Sequence, residues 1–217
     1  MIRPSLTISA LLTEAAAFAT QESTHAEPSL FGVTDGKAVG TYLEQKFRRY
    51  VETRYQILAG NSAKGIDFPD INVDIKVTSV RQPQSSCPYK SARQKIFGLG
   101  YSLLVFVYDK KDDGDLRAAK LQILHTVFLD AAATGDFTMT VRLREMVNDG
   151  ANREDIVAFL MDKNLPVDDI EAAQIADEVL RAPPNQGYLT ISNALQWRLQ
   201  YGRAIDVAGS VAGVTRL

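Results

Sequence analysis

Six residues, Val73 to Thr78, alternate strictly between apolar and polar, and this short run constrains the chain more than any other. Such a period of two specifies a β-strand with Val73, Ile75 and Val77 turned to a core and Asp74, Lys76 and Thr78 on the opposite face. Just upstream, Pro69, Asp70 and Asn72 supply turn chemistry that folds Ile66, Asp67 and Phe68 back along the strand. Asp67, Asp74 and Lys76 are thereby expected to meet at one edge. Two carboxylates suit a hard cation that also takes phosphate oxygens and water, and an ammonium beside them can orient that water. The same residues could equally form an ordinary exposed hairpin.

The 217 residues, 46% of them hydrophobic, suffice for one good core and a subdomain. Cys87 is the single cysteine, which excludes an intrachain disulfide and a cysteine-based zinc cluster and points to a reducing, cytoplasmic home. The apolar stretch 6–19 is broken by Glu14 and preceded by only Arg3, so it reads as an amphipathic helix and not a signal peptide. No segment is apolar enough for a membrane span, and no membrane partner is expected. The net charge of −2 conceals a segregation: residues 37–120 carry a net +6 and the rest −8. A basic region around the strand is the footprint of a polyanionic partner, although solvated lysines would look alike.

In chain order, residues 6–20 read as one helix and 40–58 as a stronger one, with Leu43, Phe47, Tyr50, Val51 and Leu58 at helical spacing. Glu44 lies beside that stripe, where Arg48 four residues on could pair with it. Residues 81–90 have loop composition, and Arg81, Gln82, Gln84, Ser85 and Lys90, with Arg93 just beyond, could reach a DNA groove. A short helix over 91–99, ended by Gly98 and Gly100, precedes a strand over 101–108 buried on both faces. The acidic run 110–115 lacks the spacing of a calcium loop and reads as a solvated turn. Residues 121–129 suit a strand paired with 101–108, with His125 packed within it. Capped helices follow at 152–161 and 168–181, and the tail 187–201, with Trp197, Arg198, Tyr201 and Arg203 clustered nearby, reads as another. Trp197 and Tyr201 are expected in the core.

Three stretches in this order carry a resemblance: Val39-Gly40-Thr41-Tyr42-Leu43-Glu44; Ala59-Gly60-Asn61-Ser62 through Asp67 to Val73-Asp74-Ile75-Lys76; and Ser91-Ala92-Arg93-Gln94-Lys95-Ile96. The chain over residues 6–129 resembles the PD-(D/E)xK nuclease superfamily, in particular the MutH mismatch-repair nuclease and related type II restriction enzymes. The resemblance implies an α/β fold, a restriction-endonuclease-like central mixed β-sheet flanked by helices. A catalytic core over 1–133 would be followed by a helical C-terminal region over 134–217 for DNA recognition or dimerisation. It assigns Asp67, Asp74, the Ile75 carbonyl and Glu44 to Mg²⁺, Lys76 to the attacking water and Lys95 to the phosphate. Two departures stand out. Asp74 replaces the usual Glu, and Glu44 lies further from Asp67 than is customary. Asp70, only four residues before Asp74, is expected at the turn's tip and not among the ligands.

The function so implied is Mg²⁺-dependent cleavage of double-stranded DNA at a specific sequence by a type II restriction endonuclease acting as a homodimer. A MutH-like nicking repair endonuclease and a non-catalytic, sequence-specific DNA-binding protein on the same fold are the alternatives.

Overall fold

The computed structural model describes residues 3–57, 65–87, 90–192 and 197–217. Leu58, the 59–62 part of the hairpin motif, Pro88 and the side chain of Trp197 lie outside the described residues. The chain forms two compact units, one of residues 1–85, 102–129 and 207–217, the other of 86–101 and 130–206.

In the first unit α1 (Ile8–Thr24) leads through β1 (Ala26–Glu27) to α2 (Gly36–Glu52). Both helices start on side-chain caps: Thr7 accepts from the Ala10 amide at 3.2 Å and Asp35 from that of Lys37 at 2.9 Å. The second helix thus starts and stops earlier than its apolar spacing suggested. β2 (Val73–Ser79) follows, and β3 (Gln84–Cys87) marks the passage into the second unit. A strand inside 81–90 corrects the expectation of a plain loop there.

After α3 (Arg93–Phe97), β4 (Ser102–Asp113) and β5 (Ala118–Leu129) return to the first unit. β2 pairs parallel with β4, Asp74 opposite Leu103 and Lys76 opposite Val105. β5 pairs antiparallel with β4, β1 and the last strand, β8 (Val214–Arg216), so the sheet is mixed. Every residue from Ser102 to Tyr108 is buried, as an unbroken apolar strand requires. β4 continues to Asp113, so four of the six residues of the acidic run are strand, held by cross-strand partners 118–121, and only its end turns, which corrects the reading of the whole run as a turn. His125 is half-buried opposite Val107.

Four rings, Phe18, Phe47, Phe68 and Phe106, knit the helices to the sheet, with Phe47 5.0 Å from both Phe18 and Phe106 and 6.3 Å from Phe68. Phe68 is fully buried, and its backbone exchanges two hydrogen bonds with Val73, 2.9 and 3.1 Å. That closes the turn at Pro69–Ile71, with Asn72 in the left-handed region (φ 53°). The core therefore fixes the residue next to Asp67.

In the second unit α4 (Phe137–Asn148), α5 (Arg153–Asp162) and α6 (Asp169–Arg181) pack with α3 around Ile96, Leu143, Ile156, Leu160 and Ile175. Asn152 makes the expected capping box with Asp155, and Asp168 caps α6. Gly98 ends α3 with φ 89°, where an added Cβ would lie 2.7 Å from the Ala131 carbonyl. The tail corrects the sequence expectation: it holds the antiparallel strands β6 (Thr190–Ile191) and β7 (Trp197–Gln200), followed by α7 (Gly202–Val207). Leu189 and Ile191 are buried with Thr190 exposed between them, and Leu199 and Tyr201 are buried around exposed Gln200. Residues 197–200 are thus extended, and the four-residue step from 197 to 201 is not a helical turn. Tyr201 is in the core as expected, whereas Arg198 is exposed and Arg203 lies 3.7 Å over the Phe137 ring.

Candidate active site

The first unit brings four of the expected residues together. Asp67, folded back by the turn, accepts the Ile75 amide through Oδ2 at 2.9 Å. That bond fixes its carboxylate beside β2. Asp74, only 4% exposed, lies within hydrogen-bond reach of Asp67 and receives Lys76 Nζ on Oδ2 at 2.7 Å. Glu44 reaches the group from α2, where Gly40 packs against Val77 with room for a Cβ at 3.8 Å. Arg48, the alternative partner for Glu44, pairs instead with Glu52 at 3.0 Å.

Electrostatics distinguishes this cluster from a settled ion pair. Burial, eased by Lys76 but reinforced by Asp67 and Asp74, pushes the Glu44 carboxyl up to about 7. Burial and the neighbouring Asp67 likewise raise Asp74 to about 6, in spite of Lys76. Burial opposes the charge on Lys76, yet Asp74, Glu44 and Asp67 outweigh it and hold the amine above its ordinary value. Three acids and one base crowd together with a surplus of negative charge. An all-oxygen set of this sign fits a hard divalent cation. Among the described residues no three His, Cys, Asp or Glu side chains are placed to hold an ion by themselves. Asp67 and Asp74 would therefore need a backbone oxygen, solvent or phosphate to complete a shell.

Asp70 is exposed on the turn and lines a separate cavity with Arg3, Glu52 and Tyr55. Lys95 belongs to the second unit: it is 7% exposed, its carbonyl accepts the Asp136 amide at 2.8 Å, and burial lowers its amine against the pull of Asp136. Asp136 itself caps α4 through Met139 and holds the Ile191 amide at 2.8 Å. Sequence reasoning missed this partner, although a helix-starting acid at 136 was visible. Of the candidate DNA contacts, Arg81 and Gln82 are exposed, and Gln84 and Ser85 half-buried. In the second unit Lys90 is exposed and Arg93 pairs with Glu178 of α6.

Residues 5–216 match the family model described as Type II restriction enzyme NspV. The type II restriction enzyme NspV of Nostoc sp. (strain ATCC 29411 / PCC 7524) is 64% identical over 209 residues, 96% of this chain and 95% of the relative. No solved structure matches.

Proposed function

The chain belongs to the family of the type II restriction enzyme NspV, and we propose that Glu44, Asp67, Asp74 and Lys76 form its cleavage site, with Mg²⁺ as cofactor. It is a type II restriction endonuclease, and double-stranded DNA is its substrate. The observation that carries the site is the convergence of Asp67, Asp74 and Lys76, with Asp67 on the Ile75 amide at 2.9 Å and Lys76 on Asp74 at 2.7 Å.

Asp67 and Asp74 would hold the ion through their carboxylates, aided by the Ile75 carbonyl. Mg²⁺ bound there supplies a Lewis acid that draws charge from the phosphate and makes water more acidic. Lys76, held as an ammonium beside Asp74, would orient the attacking water and stabilise developing negative charge. Glu44 steers the Lys76 ammonium or contributes to a second ion. Arg81, Gln82, Gln84, Ser85, Lys90 and Arg93 supply contacts to DNA. Hydrolysis of both strands calls for two such sites, which a homodimer with two-fold symmetry provides; residues 134–217 would serve recognition or dimerisation. No described helix is long and apolar enough to cross a membrane, and a cytoplasmic setting suits an enzyme acting on DNA.

The test is plasmid cleavage in Mg²⁺ by Asp74→Ala and Lys76→Ala proteins whose circular dichroism matches the parent. Both are expected to lose cutting; retained bands from either would remove the assignment. Sedimentation of the enzyme on duplex DNA in Ca²⁺ measures the dimer.

A further inference from the structure

Thr78 shares the polar face of β2 with Asp74 and Lys76, yet the cleavage chemistry makes no use of it. It is 5% exposed. Its hydroxyl accepts the Gln84 amide at 3.0 Å and lies 3.1 Å from the Gln82 carbonyl and 3.0 Å from that of Gln84. A hydroxyl has one proton, so it donates to one of these carbonyls at a time while accepting from the amide. Around it, the Val80 amide reaches across to the Tyr108 carbonyl of β4 at 2.9 Å, while bonds within the turn are local: Arg81 to the Ser79 hydroxyl at 3.3 Å, Gln82 to the Ser79 carbonyl at 3.2 Å and Gln84 to the Gln82 carbonyl at 2.8 Å. Thr78 is thus the side chain that ties the far end of the turn, Gln82 to Gln84, to the strand bearing the acids. Residues two apart on a strand are about 7 Å apart, so the turn is anchored one repeat beyond Lys76.

We propose that Thr78 is a positioning residue that sets the register between phosphodiester cleavage and base reading by holding the Arg81 to Gln84 turn over the catalytic strand. The inference rests on the reading of this turn as a DNA contact. Its side chains have the chemistry: a glutamine can pair with both N6 and N7 of adenine, and an arginine with O6 and N7 of guanine. Arg81 and Gln82 are exposed, and a backbone held at both carbonyl and amide keeps them from swivelling.

The experiment compares cleavage of a site mapped with the parent enzyme against duplexes differing from it by one base pair. Gln82→Ala and Gln84→Ala report whether the turn reads DNA, and Thr78→Val, Thr78→Ser and Pro83→Gly report what holds it. Thr78→Val is expected to lower discrimination about tenfold, the size of one loosened base contact, with the loss in KM and not in kcat, and Thr78→Ser to restore it. Pro83→Gly, which frees the turn and leaves the strand core intact, should move discrimination the same way even where Thr78→Val does not fold. If the glutamine variants lose discrimination while Thr78→Val and Pro83→Gly keep it, Thr78 has no positioning role and base reading stands. If Thr78→Ser is as indiscriminate as Thr78→Val, the hydroxyl is not the holding group. Full discrimination in both glutamine variants would overturn the recognition turn and this inference together.

Discussion

Helix α2 carries two acid and lysine clusters on opposite flanks, since residues two apart in a helix lie about 200° apart. Glu44 reaches Asp67, Asp74 and Lys76 from one flank, and Tyr42 and Lys46 meet Glu22 and Glu27 from the other. The second cluster is saturated: Lys46 lies 2.7 Å from Glu22 and donates to the Tyr42 hydroxyl at 2.6 Å. That hydroxyl is 3.1 Å from Glu22 and 2.9 Å from Glu27, and Glu27 also receives the Ser29 amide at 3.0 Å. Hydrogen bonding, led by Ser29, draws Glu27 down to about 2 although burial opposes it. The first cluster has one ammonium for three acids, and Glu44 and Asp74 rise where Glu27 falls. Composition is nearly the same in both; what differs is whether the protein supplies partners for its own acids. The Glu22–Glu27 network does; the proposed cleavage site supplies fewer, as suits a group proposed to take a cation and a phosphate.

Exchanging the charges breaks the comparison most sharply in activity. On the proposed site, Asp67→Asn is expected to lower DNA cleavage about a thousandfold or more, since a proposed ligand and the charge that would balance the cation go together. Asp70→Asn, on the exposed tip three residues away, should stay within about threefold. Initial rates on supercoiled plasmid decide between them, and a larger effect at Asp70 would move the metal site to the wrong side of the turn.

The saturated flank should show the reverse pattern. Lys46→Met leaves the 3% exposed Glu22 without its cation, and loss of one partner from such a pair costs about 2–4 kcal/mol, near the lower range for fully buried pairs. Urea melts would register it. Cleavage per folded molecule should remain that of the parent; a variant both stable and inactive would mean that this flank serves the reaction.

How far each cluster was legible in the sequence follows from what sets its geometry. Asp67, Asp74 and Lys76 could be read because a period-two strand and a four-residue turn are local and dictate which side chains meet. Glu44 required the family resemblance, since contact between α2 and β2 depends on tertiary packing through Phe47 and Phe68. Tyr42, Lys46, Glu22 and Glu27 come from three elements and left no spacing to find. The strand β7 was misread for a local reason: the four-residue step from 197 to 201 satisfies a helix in the sequence, while 197–200 are extended. Thr78 was placed on the correct face, but its partners depend on the turn after the strand, whose conformation composition does not specify.

The pH dependence of metal-free stability sharpens the contrast at smaller amplitude. Glu44 takes up a proton more readily folded than unfolded, so its contribution to stability falls as pH rises from about 4.5 to about 7. Glu27, held down at about 2, contributes fully above about 4.5 and loses that contribution as pH falls toward about 2. Glu44→Gln should therefore raise stability by about 1–3 kcal/mol at pH 8 and change little at pH 4, whereas Glu27→Gln should lose stability at pH 8. Thermal melts without divalent ions, at the two pH values, measure both. An unchanged melting temperature for Glu44→Gln at pH 8 would show that the acid is solvated and not crowded.

The smallest effect belongs to Gly40, which precedes Glu44 by four residues and so sits one helical turn away on the same flank. A Cβ there would stand 3.8 Å from the Val77 carbonyl and 4.0 Å from its Cβ, ordinary contact, and no left-handed φ demands glycine. Alanine thus fits, and it favours the helix by up to about 1 kcal/mol through the lower entropy of its unfolded chain. Gly40→Ala is expected to cut DNA at the parent rate with a melting temperature equal or slightly higher. Gly40→Leu, which cannot fit at that distance, should push α2 off β2, draw Glu44 away from Lys76 and lower cleavage before it unfolds the protein. A tolerated leucine with full activity would mean that the approach of helix to strand does not place Glu44, and that the flank owes its character to β2 and the turn alone.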